Sequence, residues 1–178
     1  MKKYKVGLLP LVFISFFLLI LPLNGESASN SIDWMGFEGA ESLRVKTGKV
    51  IIVDVYKATC GWCKKMQSTT YADSNIQKII EEKFIPVRLD VLSRKKMNVF
   101  GEELLERDIA RLLRVRGTPT TIFVDSTGTP VVKVPGYIPP DQYMYLLKYV
   151  SGEWYEDLKF EDFYKSEKIL EKERGKKE

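Results

Sequence analysis

The strongest constraint on the fold is a run near the first third of the chain, Lys49-Val-Ile-Ile-Val-Asp-Val-Tyr56. A strand with one wet face alternates apolar and polar residues. A stretch that is β-branched at almost every position reads instead as a central strand buried on both faces. Such a strand needs neighbours beside it and helices above and below it. One carboxylate, Asp54, interrupts the run. Four residues beyond its end, Cys60-Gly61-Trp62-Cys63 opens a helical pattern that lasts to about Tyr71.

The remaining periodicities supply what the strand requires. A polar helix is predicted over 34–41. Asp73 or Ser74 caps a helix carrying Ile76, Ile79, Ile80 and Phe84. Residues 85–91 read as a second strand, with Pro86 confined to its beginning. The polar stretch 92–101, with Arg94, Lys95 and Lys96 together, reads as a solvated loop. Leu104, Leu105, Ile109, Leu112 and Leu113 mark one face of an amphipathic helix. Gly117-Thr118-Pro119 breaks it. Strands over 120–125 and 131–134 flank a Ser-Thr-Gly-Thr turn as a hairpin, and Pro139 or Pro140 opens a last core helix. Strand–helix–strand requires parallel pairing and a hairpin requires antiparallel pairing. The prediction is an α/β domain over 30–153, a mixed parallel/antiparallel sheet with helices on both faces. The extension 154–178 offers Leu158, Phe160, Phe163 and Tyr164 for a short docked helix. Its end, 165–178, carries ten charges in fourteen residues and reads as solvated or frayed.

Residues 1–29 form an address. Lys2, Lys3 and Lys5 precede 18 uncharged residues, 6–23, followed by Gly25, Ser27, Ala28 and Ser29. The shape is that of a secretory signal peptide, cut after Gly25 or Ser29, or of an uncleaved anchor, since about 20 apolar residues span a bilayer. Both readings place the domain in an extracytoplasmic space, such as a periplasm, either soluble after cleavage or anchored by 6–23.

Composition excludes much chemistry. There is no His and there are only two Cys. Ser-His-Asp and Cys-His nucleophile systems, Cys/His zinc sites and facial-triad iron sites are ruled out, so no metal and no cofactor are expected. Lys and Arg number 28 against 24 Asp and Glu, and three of those lysines lie in the leader. A nucleic-acid partner is not indicated.

Chemistry therefore falls to the two cysteines. At a helix N-terminus the first sulfur meets unpaired N–H groups and the positive end of the helix dipole, which favour thiolate. Cys60 is expected to be the more exposed and more acidic thiol, and Lys57 is near enough in sequence to assist. Spacing of three residues lets Cys63 close a small disulfide ring. A purely structural bridge remains open in an oxidising compartment, although so short a loop removes little unfolded-state entropy.

Asp54 six residues before Cys60, the Cys60-Gly61-Trp62-Cys63 motif, and Gly117-Thr118-Pro119-Thr120 before a strand together resemble the thioredoxin superfamily, over about 49–150. The likeness is to its secreted members of the sulfur-oxidation-associated and thiol-disulfide-interchange groups. That resemblance implies the thioredoxin fold, with Cys60 as attacking thiolate, Cys63 as resolving thiol and Asp54 as a buried carboxylate relaying a proton. It implies that Pro119 is a cis-proline facing the disulfide, that Thr118 offers its backbone to substrate, and that Gly61 and Trp62 belong to the contact surface. The implied partners are disulfide-containing protein substrates and a membrane thiol-disulfide electron donor, engaged by a monomer. Trp62 stands where proline is usual in cytosolic members, and Thr118 where an apolar residue is usual. The motif lacks the His of strongly oxidising members, so reductase is the expected direction. A disulfide-forming oxidase and a redox-inactive binding module of a sulfur-handling complex are the alternatives.

Overall fold

The computed structural model describes residues 31–99 and 101–176. The leader expected over 1–29 lies outside the described residues. Element order is α1 Phe37–Thr47, β1 Val50–Tyr56, α2 Gly61–Ser68, α3 Ser74–Lys83, β2 Phe84–Asp90, β3 Lys96–Val99, β4 Glu102–Leu105, α4 Glu106–Leu112, β5 Thr120–Val124, β6 Pro130–Pro135, α5 Pro140–Ser151 and α6 Phe160–Arg174, with a 3-10 turn at Trp154–Glu156.

The main sheet has the order β2-β1-β5-β6. β1 runs parallel to β2 and antiparallel to β5, which is antiparallel to β6. β1 is central and its five inner residues are buried. The strand period of two divides them. Ile51, Val53 and Val55 join Ile85, Val87, Leu89, Ile122 and Val124 under α1 and α4. Ile52 joins Phe84 and Phe123 under α2, α3 and α5, against Met66, Ile80, Tyr143 and Leu146. The mixed sheet with helices on both faces is the one the sequence predicts.

Asp73 caps α3, its carboxylate accepting the N–H groups of Asn75 and Ile76. Pro86 is tolerated because β2 is an edge strand. Met35 bridges β2 from outside, its N–H donating to the Pro86 carbonyl at 3.0 Å and its carbonyl accepting from the Arg88 N–H at 3.1 Å. The nitrogen of Pro86, which has no hydrogen, faces this outer side rather than β1.

Three expectations need correction. The first helix begins at Phe37, not at 34, because residues 34–36 are drawn out along the edge of β2. The stretch 92–101 is not simply a loop: it contains β3, which pairs antiparallel with β4. Met97 and Val99 are buried at every second position against the α1 side of the sheet. Leu104 and Leu105 consequently end β4, α4 starts at Glu106, and Leu112 is 68% exposed. The docked helix is longer than the short one expected, and within the described residues its end is solvated, as expected, without fraying. α6 continues for 15 residues to Arg174. Its stripe of Phe163, Glu167 and Glu171, four residues apart, faces α5. Phe163 packs on Tyr149 at 5.3 Å between ring centroids. Lys148 sits 3.9 Å from Glu167 and 3.8 Å from Glu171. The Tyr145 hydroxyl donates to Glu171.

Phe163 is 4% exposed and is the anchor of this extension. Phe163→Ala should lower stability by about 3 kcal/mol in urea unfolding, whereas Leu170→Ala, on the open face, should change it by less than about 0.5 kcal/mol. Equal midpoints for the two variants would show that α6 is not docked.

Candidate redox site

β1 delivers the chain to the site. After Tyr56 a tight turn, closed by the Cys60 N–H donating to the Lys57 carbonyl at 3.1 Å, ends at Cys60. Cys60 is the N-cap of α2, and its sulfur accepts the Cys63 N–H at 3.1 Å. Helix N-termini carry N–H groups without intrahelical acceptors, and here a sulfur takes one of them. Cys60 and Cys63 form a disulfide with their Cα atoms 5.2 Å apart. Their exposures are nearly equal, 7% and 5%, so exposure does not separate them as expected. Their surroundings do. Cys60 Sγ lies 3.4 Å from the Thr118 carbonyl oxygen. Cys63 instead lines a cavity of about 220 Å³ with Tyr56, Lys57, Lys64 and Arg88.

The peptide between Thr118 and Pro119 is cis. Pro119 is buried, and its carbonyl accepts the Gly136 N–H at 2.8 Å. Gly136 has φ +94, a conformation that favours glycine. The Thr120 hydroxyl donates to the Gly117 carbonyl at 2.7 Å. These bonds hold the 117–120 turn between the end of β6 and the start of α2.

Asp54 is 2% exposed on the α2 side of the sheet. Strand register places Arg88 of β2 and Thr121 of β5 on either side of it. The three form a polar row through an apolar layer. Arg88 Nε donates to Asp54 Oδ2 at 3.0 Å. Its guanidinium lies over the rings of Tyr56, at 4.4 Å, and Trp34, at 5.4 Å. Tyr71 and Tyr143, fully buried and edge-to-face at 5.6 Å, close over the carboxylate. Burial pushes the Asp54 carboxyl above its ordinary value, more than Arg88 and Tyr71 pull it back. Burial likewise pushes both tyrosine hydroxyls up. Arg88 touches the Asp54 carboxylate and also lines the Cys63 cavity, which joins the buried acid to the inner cysteine.

Gly61 and Trp62 are the exposed part of the motif, with Trp62 at 58%. Trp62 stacks on Tyr137, 5.6 Å between centroids. Lys65 Nζ sits 5.0 Å from the Trp62 ring and 4.9 Å from Tyr137. The Tyr137 and Thr69 hydroxyls are 3.1 Å apart. Sequence reasoning named Trp62 but missed Tyr137, Lys65, Arg88, Tyr71 and Tyr143. Only Lys65 left a local signal, three residues after Trp62 on one helix face. Among the described residues no group of three or more His, Cys, Asp or Glu converges to hold a metal, and no helix is long and apolar enough to cross a membrane.

The Asp54 carboxyl yields a stability prediction. Because its value in the folded chain is raised, its contribution is fully present below the ordinary 3.8 and is lost as pH rises through the raised value. Asp54→Asn has no such loss. The variant should therefore gain thermal stability over the parent as pH rises from about 4 to 8. Every pH unit of elevation corresponds to about 1.4 kcal/mol. Melting curves across that range check it. A difference independent of pH would mean that Asp54 ionises as freely as in water.

Comparison with known proteins agrees with this geometry. The family model described as a thioredoxin-like domain matches residues 39–151. Thiol:disulfide interchange protein DsbD of Actinobacillus pleuropneumoniae is 26% identical over 106 residues, 58% of this chain and 17% of that protein. DsbD of Tatumella citrea is 27% identical over 115 residues, 64% of this chain and 18% of that protein. The chain thus spans under a fifth of the length of these curated relatives. Among solved structures, a thioredoxin-fold protein from Helicobacter pylori covers 74% of this chain and 87% of its own, with TM-score 0.58 and 21% identity. A thioredoxin from Thermus thermophilus covers 67% and 87%, with TM-score 0.55 and 24% identity. With the mixed sheet and the Cys60–Cys63 pair in place, this chain belongs to the thioredoxin-like family of thiol-disulfide oxidoreductases.

Proposed function

We propose that this protein is an extracytoplasmic reductase of protein disulfides. The observation that carries the reading is the position of Cys60 Sγ, at the α2 N-terminus and 3.4 Å from the Thr118 carbonyl. In the reduced form, the Cys60 thiolate attacks one sulfur of a substrate disulfide. That bond breaks, the other substrate sulfur leaves as a thiolate and takes a proton, and a mixed disulfide links Cys60 to substrate. Cys63 then gives up its proton, attacks Cys60 Sγ and expels the second substrate sulfur. Two electrons pass to substrate and the Cys60–Cys63 disulfide forms. Asp54, held by Arg88 and with its carboxyl pushed above its ordinary value by burial, exchanges the Cys63 proton. Thr118, Pro119, Gly61 and Trp62 form the surface that receives the substrate segment.

The reducing direction follows from what stabilises thiolate. The α2 dipole favours it, no His adds to it, and the charge of Asp54 opposes it. A less stabilised thiolate makes a weaker oxidant. The extracytoplasmic location is supported by the leader and by the likeness to interchange proteins, as is re-reduction by a membrane thiol-disulfide donor. We assign residues 30–153 to the exchange domain and 154–178 to a helical extension.

The test is insulin-disulfide reduction. Cys60→Ser should abolish it, and Cys63→Ser should accumulate mixed disulfides visible on non-reducing gels. Trapping by Cys60→Ser instead would reverse the roles. Equilibration with thiol buffers should give a potential nearer about −270 mV than about −120 mV. A value above about −150 mV would make the protein an oxidase.

A further inference from the structure

Three concavities lie near Cys63 and the 117–118 turn, and neighbouring ones share lining residues. The cavity beside Cys63 shares Lys57 with a second of about 240 Å³ that reaches Thr118. The second shares Val115, Arg116 and Gly117 with a third, about 380 Å³, that extends to Pro135. Taken in order, their linings trace a groove from Cys63, along Gly117 and Thr118 of the cis-proline turn, to Pro135 at the end of β6. Its charged lining is entirely cationic: Lys57, Lys64 and Arg88, then Arg116, then Arg114 and Lys133. No Asp or Glu lines any of the three.

Arg88 pairs with Asp54, but none of the other five takes part in a salt bridge among the described residues. Elsewhere on the chain such pairs are common, as at Lys96–Glu103 and Lys148–Glu167. Lys133 Nζ instead lies 3.4 Å from the carbonyls of Leu113 and Arg114. Arg114 adds a second sign. It has φ +53 just after α4, where glycine usually stands, so the backbone accepts strain at the residue that carries this cation. A row of unpaired cations in a groove repels itself, and an anionic partner relieves that repulsion.

We propose that the groove receives an acidic protein segment, with Asp and Glu side chains flanking the disulfide that Cys60 attacks. This deepens the reductase reading and rests on it. The cations raise the local concentration of such a segment and orient it, so the preference appears in the association rate and weakens with salt. Trp62 and Tyr137, with Lys65 beside them, border the motif on its exposed side.

The experiment uses the reduced protein and three probes. These are uncharged 2-hydroxyethyl disulfide and two peptide disulfides of equal length, one flanked by Glu and one by Lys. Each rate is divided by that of dithiothreitol on the same probe, which removes intrinsic differences in reactivity. The Glu-to-Lys rate ratio should be about tenfold or more at 10 mM ionic strength. It should fall toward one at 1 M, as the screening length drops from about 30 to 3 Å. In the Lys64→Glu/Arg116→Glu variant the ratio should drop below one. Turnover of the uncharged probe with a ratio near one, or a ratio that the double variant leaves unchanged, overturns the acidic-partner assignment alone. No turnover of any probe removes the reductase reading and this assignment with it.

Discussion

Burial of β1 on both faces is the constraint on which the rest of the structure depends. Its inner residues are packed into two separate apolar layers, so both flanking strands and both helix layers have to be in place around it. Its C-terminal end is thereby fixed in space, and a short turn places Cys60 at the head of α2. The antiparallel pairing of β5 with β1 then matters for chemistry. Register sets Val55 opposite Thr120, which brings the cis-proline turn to the same end of the sheet as the cysteines. Two segments about sixty residues apart meet because one strand ends where its antiparallel neighbour begins.

The same central strand carries the one charge that an apolar layer resists. Asp54 cannot be solvated where it lies, and a buried carboxylate is expensive unless it is paired. Arg88 supplies a partner from the edge strand, directly opposite in register, while its own guanidinium stays partly in solvent against two aromatic rings. Burial outweighs the pairing, so the carboxyl stays above its ordinary value, and Arg88 links it to the cavity that Cys63 lines.

Outside the core, the site presents two contrasting surfaces. Trp62 and Tyr137 give an apolar stack with a lysine against it. The groove on the other side is lined with cations. Charge over the whole chain is nearly balanced, so this concentration comes from the arrangement of the fold rather than from composition. Lys57 and Lys64 come from the α2 end, Arg114 and Arg116 from the turn after α4, and Lys133 from β6.

Much of the fold was legible locally. The β-branched run identified the central strand, Asp73 marked the start of α3, the Ser-Thr-Gly-Thr turn marked the hairpin, and the motif identified the redox pair together with Asp54. These are statements about one segment at a time, decided by side-chain period, caps and turn chemistry within a few residues. Where the sequence misled, the deciding contact was distant. Met97 and Val99 became a strand because α1 and the main sheet were there to cover them. Residues 165–174 stayed helical because Lys148 and Tyr145 of α5 meet their acidic stripe. Arg88, Tyr71, Tyr143 and Tyr137 carry no local mark of their roles. Strand register and helix packing bring them to Asp54 and Trp62, and register is a property of pairs of segments that neither segment encodes alone.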